Sequence, residues 1–285
     1  MNANVTTDEP WVVTATEART QIERGATVLD TRRGWVWWWL HAINSVPVQW
    51  QMFAQSEPWL RGLLSERHQE LTETLRALGV CRDRPVIVVG NPASAWGEEG
   101  RVVWTLRSLG HDRAAWVDGG WPALRDQVAL RRFGGTPGRA GEFTVRPNRQ
   151  WTIDHQELKA IASVPARDSK WVILDARSPR EYEGATPYGE RRGGRIPGAL
   201  SFPIPRLRQS NGYLQAPEAV LAELSQLGVD RDTPVAVYCT GGVRSAFVVS
   251  VLVHWGFRMV KNYAGSTWEW SALPAAEYPL ERSRA

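Results

Sequence analysis

The segment WVILDAR (171–177) is a short apolar run that ends in an acid and a base, the pattern of a buried strand opening into a polar loop. PEAVLAELSQLGV (217–229) instead sets apolar residues at helical spacing and stops at Gly228, a helix-ending signal. TPVAVYC (233–239) predicts a second buried strand, and SAFVVSVLVHWGF (245–257) a helix apolar on nearly every face, again stopped by glycine. Strands alternating with helices of about ten to fifteen residues predict an α/β fold with a parallel sheet covered on both faces.

The same order occurs twice. LGVCRDRPVIVVG (78–90) aligns without a gap on LGVDRDTPVAVYC (227–239), and VLDTR (28–32) on ILDAR (173–177). Gly110 pairs with Gly256 and Gly119 with Gly265. Shared order at a nearly constant offset predicts duplication of one domain. The Gly-, Pro- and Arg-bearing stretch 131–148 is then the linker between a first domain over 1–130 and a second over 149–285.

Composition narrows the classes. With 285 residues, 43% apolar and 22% charged, the chain is long enough for two ordinary globular domains. Its longest apolar run, Trp35 to Leu40, is far short of the roughly 20 residues that span a bilayer. MNANVTTDEP has neither a basic region nor an apolar core, so a soluble, cytoplasmic protein is expected. Two cysteines make no disulfide framework, and no Cys/His cluster has zinc-ligand spacing, so no metal is called for. The net charge of +4 is small and concentrated in six arginines between 125 and 150, which point to a solvated linker rather than a nucleic-acid face. Sixteen tryptophans are unusual. They gather at WVWWWLH (35–41), with Trp50, Trp59, Trp96 and Trp104 nearby, as an aromatic wall between the domains or, alternatively, as an exposed patch.

Cys239 is where chemistry is expected, because ligands of parallel α/β sheets bind beyond the carboxyl ends of the strands. The strand over 234–238 is followed by Cys-Thr-Gly-Gly-Val-Arg and a helix from about Ser245. Two glycines let the loop curl so that its N–H groups face the sulfur. The helix dipole and Arg244 add positive charge, and all three lower the thiol pKa from its usual ~8.5. Phosphatases that use a cysteine need Cys-x5-Arg to ring a phosphate; here the spacing is Cys-x4-Arg with Ser at 245, a tighter ring suited to one extra sulfur on the cysteine. No partner cysteine stands at Cys-x-x-Cys spacing, and His254 lies in an apolar helix as a core or surface residue rather than a base.

LDARSPREYEG (174–184), GGRIPGA (193–199), the Cys239 loop and NYAGSTWEW (262–270) resemble the two-domain rhodanese family over essentially the whole chain. The resemblance implies a sulfurtransferase without metal or organic cofactor, in which Cys239 takes the outer sulfur of a small anionic donor, holds it as persulfide and passes it to a thiophilic acceptor such as cyanide, a thiol or an acceptor protein. By the same resemblance Thr240, Gly241, Gly242, Val243 and Arg244 form the cradle, and Asp175 and Arg177 match the family's acid and base at the strand end. Glu181 stands where animal enzymes carry a substrate-binding arginine. Arg195 replaces the usual histidine, with Arg191 and Arg192 close by to gather an anion or to coat a solvated loop. Gly90 aligns with Cys239, so the first domain is expected to be silent, and Cys81, aligned with Asp230 in a polar turn, is no second nucleophile. Arg244 at the ring's mouth favours thiosulfate as donor. The alternatives are 3-mercaptopyruvate, sulfur delivery to tRNA modification or cofactor biosynthesis, and, least favoured, a non-catalytic interaction module.

Overall fold

The computed structural model describes residues 9–94, 96–135 and 140–282. The first half runs β1 (Val12–Val13), α1 (Ala15–Glu23), β2 (Thr27–Asp30), α2 (Gly34–Trp39), β3 (Leu40–Ala42), β4 (Ser45–Pro47), α3 (His68–Ala77), β5 (Val86–Val89), α4 (Glu98–Ser108), β6 (Ala114–Val117), α5 (Gly120–Leu124) and β7 (Leu130–Arg132). The second half runs α6 (His155–Ala162), β8 (Val172–Asp175), α7 (Pro179–Tyr182), β9 (Leu200–Ser201), α8 (Pro217–Gln226), β10 (Val235–Tyr238), α9 (Val243–His254), β11 (Val260–Asn262) and α10 (Ser266–Trp270).

The duplication is visible in the sheets. The first has the order β1-β6-β5-β2-β4 and the second β11-β10-β8-β9, all parallel. Strand by strand, β6-β5-β2-β4 corresponds to β11-β10-β8-β9. The place of β1 is taken in the second half by a parallel bridge from Thr152 to Asn262. Central strands β5 and β10 are buried at every residue, as parallel strands covered on both faces must be.

The two halves share one hydrophobic core through α4 and α9. Both helices start on a left-handed glycine, Gly97 (φ 64°) and Gly242 (φ 75°). A Cβ on Gly100 would lie 2.7 Å from Phe247 Cα, so a glycine is what lets the helices touch there. Trp116 reaches across to donate its Nε1–H to Ser250 Oγ at 3.0 Å, with its ring 5.0 Å from Phe247, and Trp104 Nε1 donates to Trp151 O at 2.9 Å. Each indole buries roughly 200 Å², of order 5 kcal/mol at ~25 cal/mol per Å².

Three expectations change. Helix α9 begins at Val243, not Ser245, because Gly242 turns the chain directly into it; Val243 and Arg244 therefore belong to the first helical turn. The linker is not a solvated tether over its described part. Residues 131–132 pair in β7 with β3, and 140–148 lie strapped along the first half: Gly141 N–H donates to Arg76 O (2.8 Å), Arg146 N–H to Leu109 O (2.9 Å) and Asn148 N–H to Ser108 O (2.8 Å), with Phe143 and Val145 buried. Residues 136–139 lie outside the described residues. Finally, of the tryptophans expected at the interface, Trp59, Trp96 and Trp104 do meet the second half, but the run 35–41 is no interdomain wall. Trp35, Trp38 and Trp39 are 72%, 50% and 53% exposed, and only Trp37 turns inward, bonding Ser45 Oγ through Nε1 at 3.0 Å. Tryptophans elsewhere do join the halves, among them Trp104 and Trp116, Trp11 against Trp151 and Trp96 against Tyr188.

Candidate active site

Cys239 ends the strand β10 with its side chain only 1% exposed. Three hydrogen bonds fix its backbone. Its N–H donates to Ser266 Oγ at 3.0 Å, and Ser266 Oγ donates on to Tyr263 O at 2.7 Å. Thr267 holds the Cys239 carbonyl through both its N–H and its Oγ, each at 3.2 Å. Ser266 sits at φ 52°, left-handed backbone that costs a non-glycine residue of order 1–3 kcal/mol.

The sulfur faces donors. Ser245 Oγ lies 3.5 Å from Cys239 Sγ, and the N–H groups of Ser245 and Gly241 point at it. Burial by itself pushes the thiol up. The Arg244 guanidinium, the Ser245 hydroxyl and the two backbone donors outweigh it, and the thiol sits below its ordinary value. The ring closes only with glycine: a Cβ on Gly241 would collide with the Trp268 indole, and one on Gly242 with Ala264 O. Ser245 counted in the sequence only as a reason against a phosphate ring; in the fold it is a sulfur ligand.

Arg244 does not stand free at the mouth of the ring. It pairs bidentately with Glu181, Nη1 to Oε2 at 2.8 Å and Nη2 to Oε1 at 2.6 Å, and Nη2 also reaches Thr240 Oγ1 at 2.7 Å. Thr240 Oγ1 donates to Glu181 Oε1 at 2.8 Å, and Glu190 Oε1 lies 3.5 Å from it. Burial acts against the Glu181 carboxylate, but Arg244, Ser178 and Thr240 hold it at about 2. What places Glu181 is local: Ser178-Pro-Arg-Glu is a capping box opening α7, with Ser178 N–H and Oγ donating to Oε2 at 3.1 and 2.7 Å. That S-x-x-E pattern is a signal the sequence carried.

Asp175 and Arg177 stand at the end of β8, the place the resemblance implies, and turn onto each other. They form a buried pair, Arg177 Nη2 to Asp175 Oδ2 at 2.7 Å, with Tyr238 OH donating to Oδ2 at 2.6 Å and Arg177 Nη2 to Gly194 O at 2.7 Å. Asp30 and Arg32 repeat this geometry in the first half, with Nη2 to Oδ2 at 2.7 Å and Nη2 to Leu40 O at 2.9 Å. In both halves the pair ties a strand end to the following loop.

The entrance is built from both halves. Trp96 and Tyr188 pack edge to face at 4.9 Å, and the Arg244 guanidinium lies 5.0 Å from the Trp96 ring. Arg61 stacks on Trp268 at 3.6 Å and donates to Tyr188 O at 3.1 Å, while Arg191 lies 5.0 Å over Trp59. Arg61 and Arg191 are exposed. Arg192 instead turns inward onto the carbonyls of Trp270, Ser271, Leu273 and Tyr278, and Arg195 lies over Tyr182 near Glu281.

The first half has closed the equivalent space. At Gly90 a Cβ would run into the Glu99 carboxylate, which pairs with Arg208. Cys81 is buried in a turn, accepting from Arg84 Nη2 (2.6 Å) and Glu142 N–H (3.2 Å). His254 sits exposed near the far end of α9. Among the described residues no cluster of three His, Cys, Asp or Glu side chains is placed to hold a metal, and no helix is long and apolar enough to cross a membrane.

Comparison with known proteins agrees with this geometry. The rhodanese-like domain family matches residues 156–273, which include the whole Cys239 loop. The sulfur carrier protein TtuD of Thermus thermophilus is 27% identical over 82% of this chain and 83% of its own. A thiosulfate sulfurtransferase of Pseudomonas aeruginosa is 29% identical, covering 79% of each chain. The 3-mercaptopyruvate sulfurtransferase of Escherichia coli is 30% identical over 75% of this chain and 74% of its own. A solved structure of the Escherichia coli 3-mercaptopyruvate enzyme SseA superposes with a TM-score of 0.75 at 22% identity, covering 90% of this chain and 98% of that one. With two repeated sheets, a glycine-ringed thiol at one of them, and relatives of this identity over most of its length, the chain belongs to the rhodanese family of sulfurtransferases.

Proposed function

We propose that the protein moves sulfane sulfur from thiosulfate to a small thiophilic acceptor through a persulfide on Cys239, with 149–285 as the catalytic unit and 1–130 as its silent partner. The observation that carries this is the buried Cys239 thiol, lowered in pKa and faced by the N–H groups of Gly241 and Ser245 and by Ser245 Oγ. A thiolate in such a ring attacks the outer sulfur of thiosulfate. The new Sγ–S bond forms as the S–S bond of the donor breaks, and both electrons of that bond leave with sulfite. Cyanide or a thiol then attacks the terminal sulfur and returns the cysteine as thiolate.

Two features favour a dianionic donor and a small acceptor. Arg61 and Arg191 put two exposed cations at the rim over Trp268 and Trp59. Cys239 is only 1% exposed, too enclosed for a bulky nucleophile to approach without movement. The test is mass spectrometry after thiosulfate treatment. One sulfur atom should be gained on the Cys239 peptide and removed by cyanide. An adduct on Cys81, no adduct, or loading by mercaptopyruvate far faster than by thiosulfate would each overturn the corresponding part.

A further inference from the structure

Arg101 belongs to α4, in the half without a nucleophile, yet its side chain ends at the Cys239 loop. It is fully buried. Nη1 donates to Gly242 O at 3.0 Å and Nη2 to Gly62 O at 2.7 Å, while the rings of Trp104 and Trp50 lie 4.7 and 5.5 Å from Cζ. Nε has no partner among the described residues. Of the other buried arginines, Arg32, Arg177 and Arg244 each pair with a carboxylate, and Arg107, at the far end of α4, donates to the carbonyls of Ala114, Glu9 and Pro10; among the described residues Arg101 pairs with no carboxylate. Burying a guanidinium on carbonyls and rings alone is costly. Burial pushes it down to about 9, and the Cys239 thiolate is the anion that acts in the opposite direction.

The cations around the end of β10 and the Cys239 loop come from three elements. Arg244 on α9 is matched by Glu181 on α7, with Glu190 beside Thr240. Arg177 after β8 is matched by Asp175, to which Tyr238 of β10 donates. Arg101 on α4 is left over. Its contact is also well placed mechanically, because Gly242 is the residue on which α9 starts, and the N–H groups of that first turn face the sulfur.

We propose that Arg101 is a positioning residue for sulfur transfer: from the silent half it anchors the Gly242 carbonyl and lends an unmatched positive charge that keeps the sulfur on Cys239 anionic. The inference rests on Cys239 being the sulfur-carrying residue. It gives the silent half a part in the chemistry.

The test compares wild type, Arg101→Gln and Arg101→Lys in the full chain. The thiolate titration of Cys239 is read by ultraviolet absorbance as the difference against Cys239→Ser, with folding checked by near-ultraviolet circular dichroism. Arg101→Gln should move the midpoint up by about one pH unit, a tenfold loss of thiolate at fixed pH, and Arg101→Lys should restore most of it. A folded Arg101→Gln with an unmoved midpoint, or a lysine variant shifted as far as the glutamine one, overturns the proposal. Should Arg101→Gln not fold, Trp50→Glu sets a carboxylate beside the guanidinium and should raise the midpoint in the same sense; no shift there is equally fatal. Absence of cyanide-labile sulfur on wild type would instead sink the Cys239 assignment, so the two failures are distinct.

Discussion

Glu181 grips Arg244 with both carboxylate oxygens, and the guanidinium that sequence spacing assigns to the donor is already matched inside the protein. The pair contributes to the site by shaping it: Arg244 lowers the thiol, Glu181 fixes Arg244, and Thr240 bridges the two.

A first consequence is acid sensitivity. Glu181 is held at about 2 against an ordinary 4.5, so its stabilisation is fully present above about 4.5 and is lost as pH falls toward about 2. A shift of that size corresponds to about 3 kcal/mol. Urea unfolding between about pH 5 and 3 should show wild type losing stability more steeply than Glu181→Gln, although the variant starts lower because it leaves a buried cation unpaired. Parallel slopes would remove the carboxylate from this role.

Arg244→Ala should lower kcat/KM near neutral pH by about tenfold to a hundredfold, the loss of ~1.4–2.8 kcal/mol expected for one charged contact. Because Arg244 acts on the thiol rather than on the donor, the loss should be alike for thiosulfate and mercaptopyruvate and should shrink as pH is raised. A deficit confined to thiosulfate would return Arg244 to the donor.

Donor preference should instead reside at the rim. Arg61→Ala and Arg191→Ala should each raise KM for thiosulfate about twofold to tenfold with kcat nearly unchanged, since exposed rim charges act mainly on encounter. The double variant should also lose most of the salt dependence of the thiosulfate reaction. Salt dependence equal to wild type would mean that other groups gather the dianion.

Arg177→Met and Arg32→Met should behave alike in stability, each costing about 3–5 kcal/mol by leaving a buried aspartate uncompensated. Urea denaturation measures this directly. Turnover per folded molecule of Arg32→Met should stay within about twofold. A destabilised Arg177 variant beside an unaffected Arg32 variant would break the equivalence drawn from their shared geometry.

Much of this protein is legible along the chain, and for a definite reason. Strand and helix periodicity are properties of a few adjacent residues, so WVILDAR, TPVAVYC and PEAVLAELSQLGV declare β8, β10 and α8 within a residue or two. The repeat exposes the duplication, and the loop from Cys239 to Arg244 exposes the lowered thiol, because the N–H groups that serve the sulfur come from the residues that immediately follow it. What the chain order could not decide was how groups far apart in sequence would pair. Glu181 meets Arg244, Ser266 meets Cys239 and Arg101 meets Gly242 only after two sheets have formed and α4 has packed on α9. Burial likewise has no local signature: Trp35, Trp38 and Trp39 share a pattern with Trp37 yet face solvent, and the strap 140–148 lies down on the first half because its alternate residues, Phe143 and Val145, find a surface to bury against. Local sequence determined the elements and the thiol. Only the tertiary structure decided which charges cancel around it.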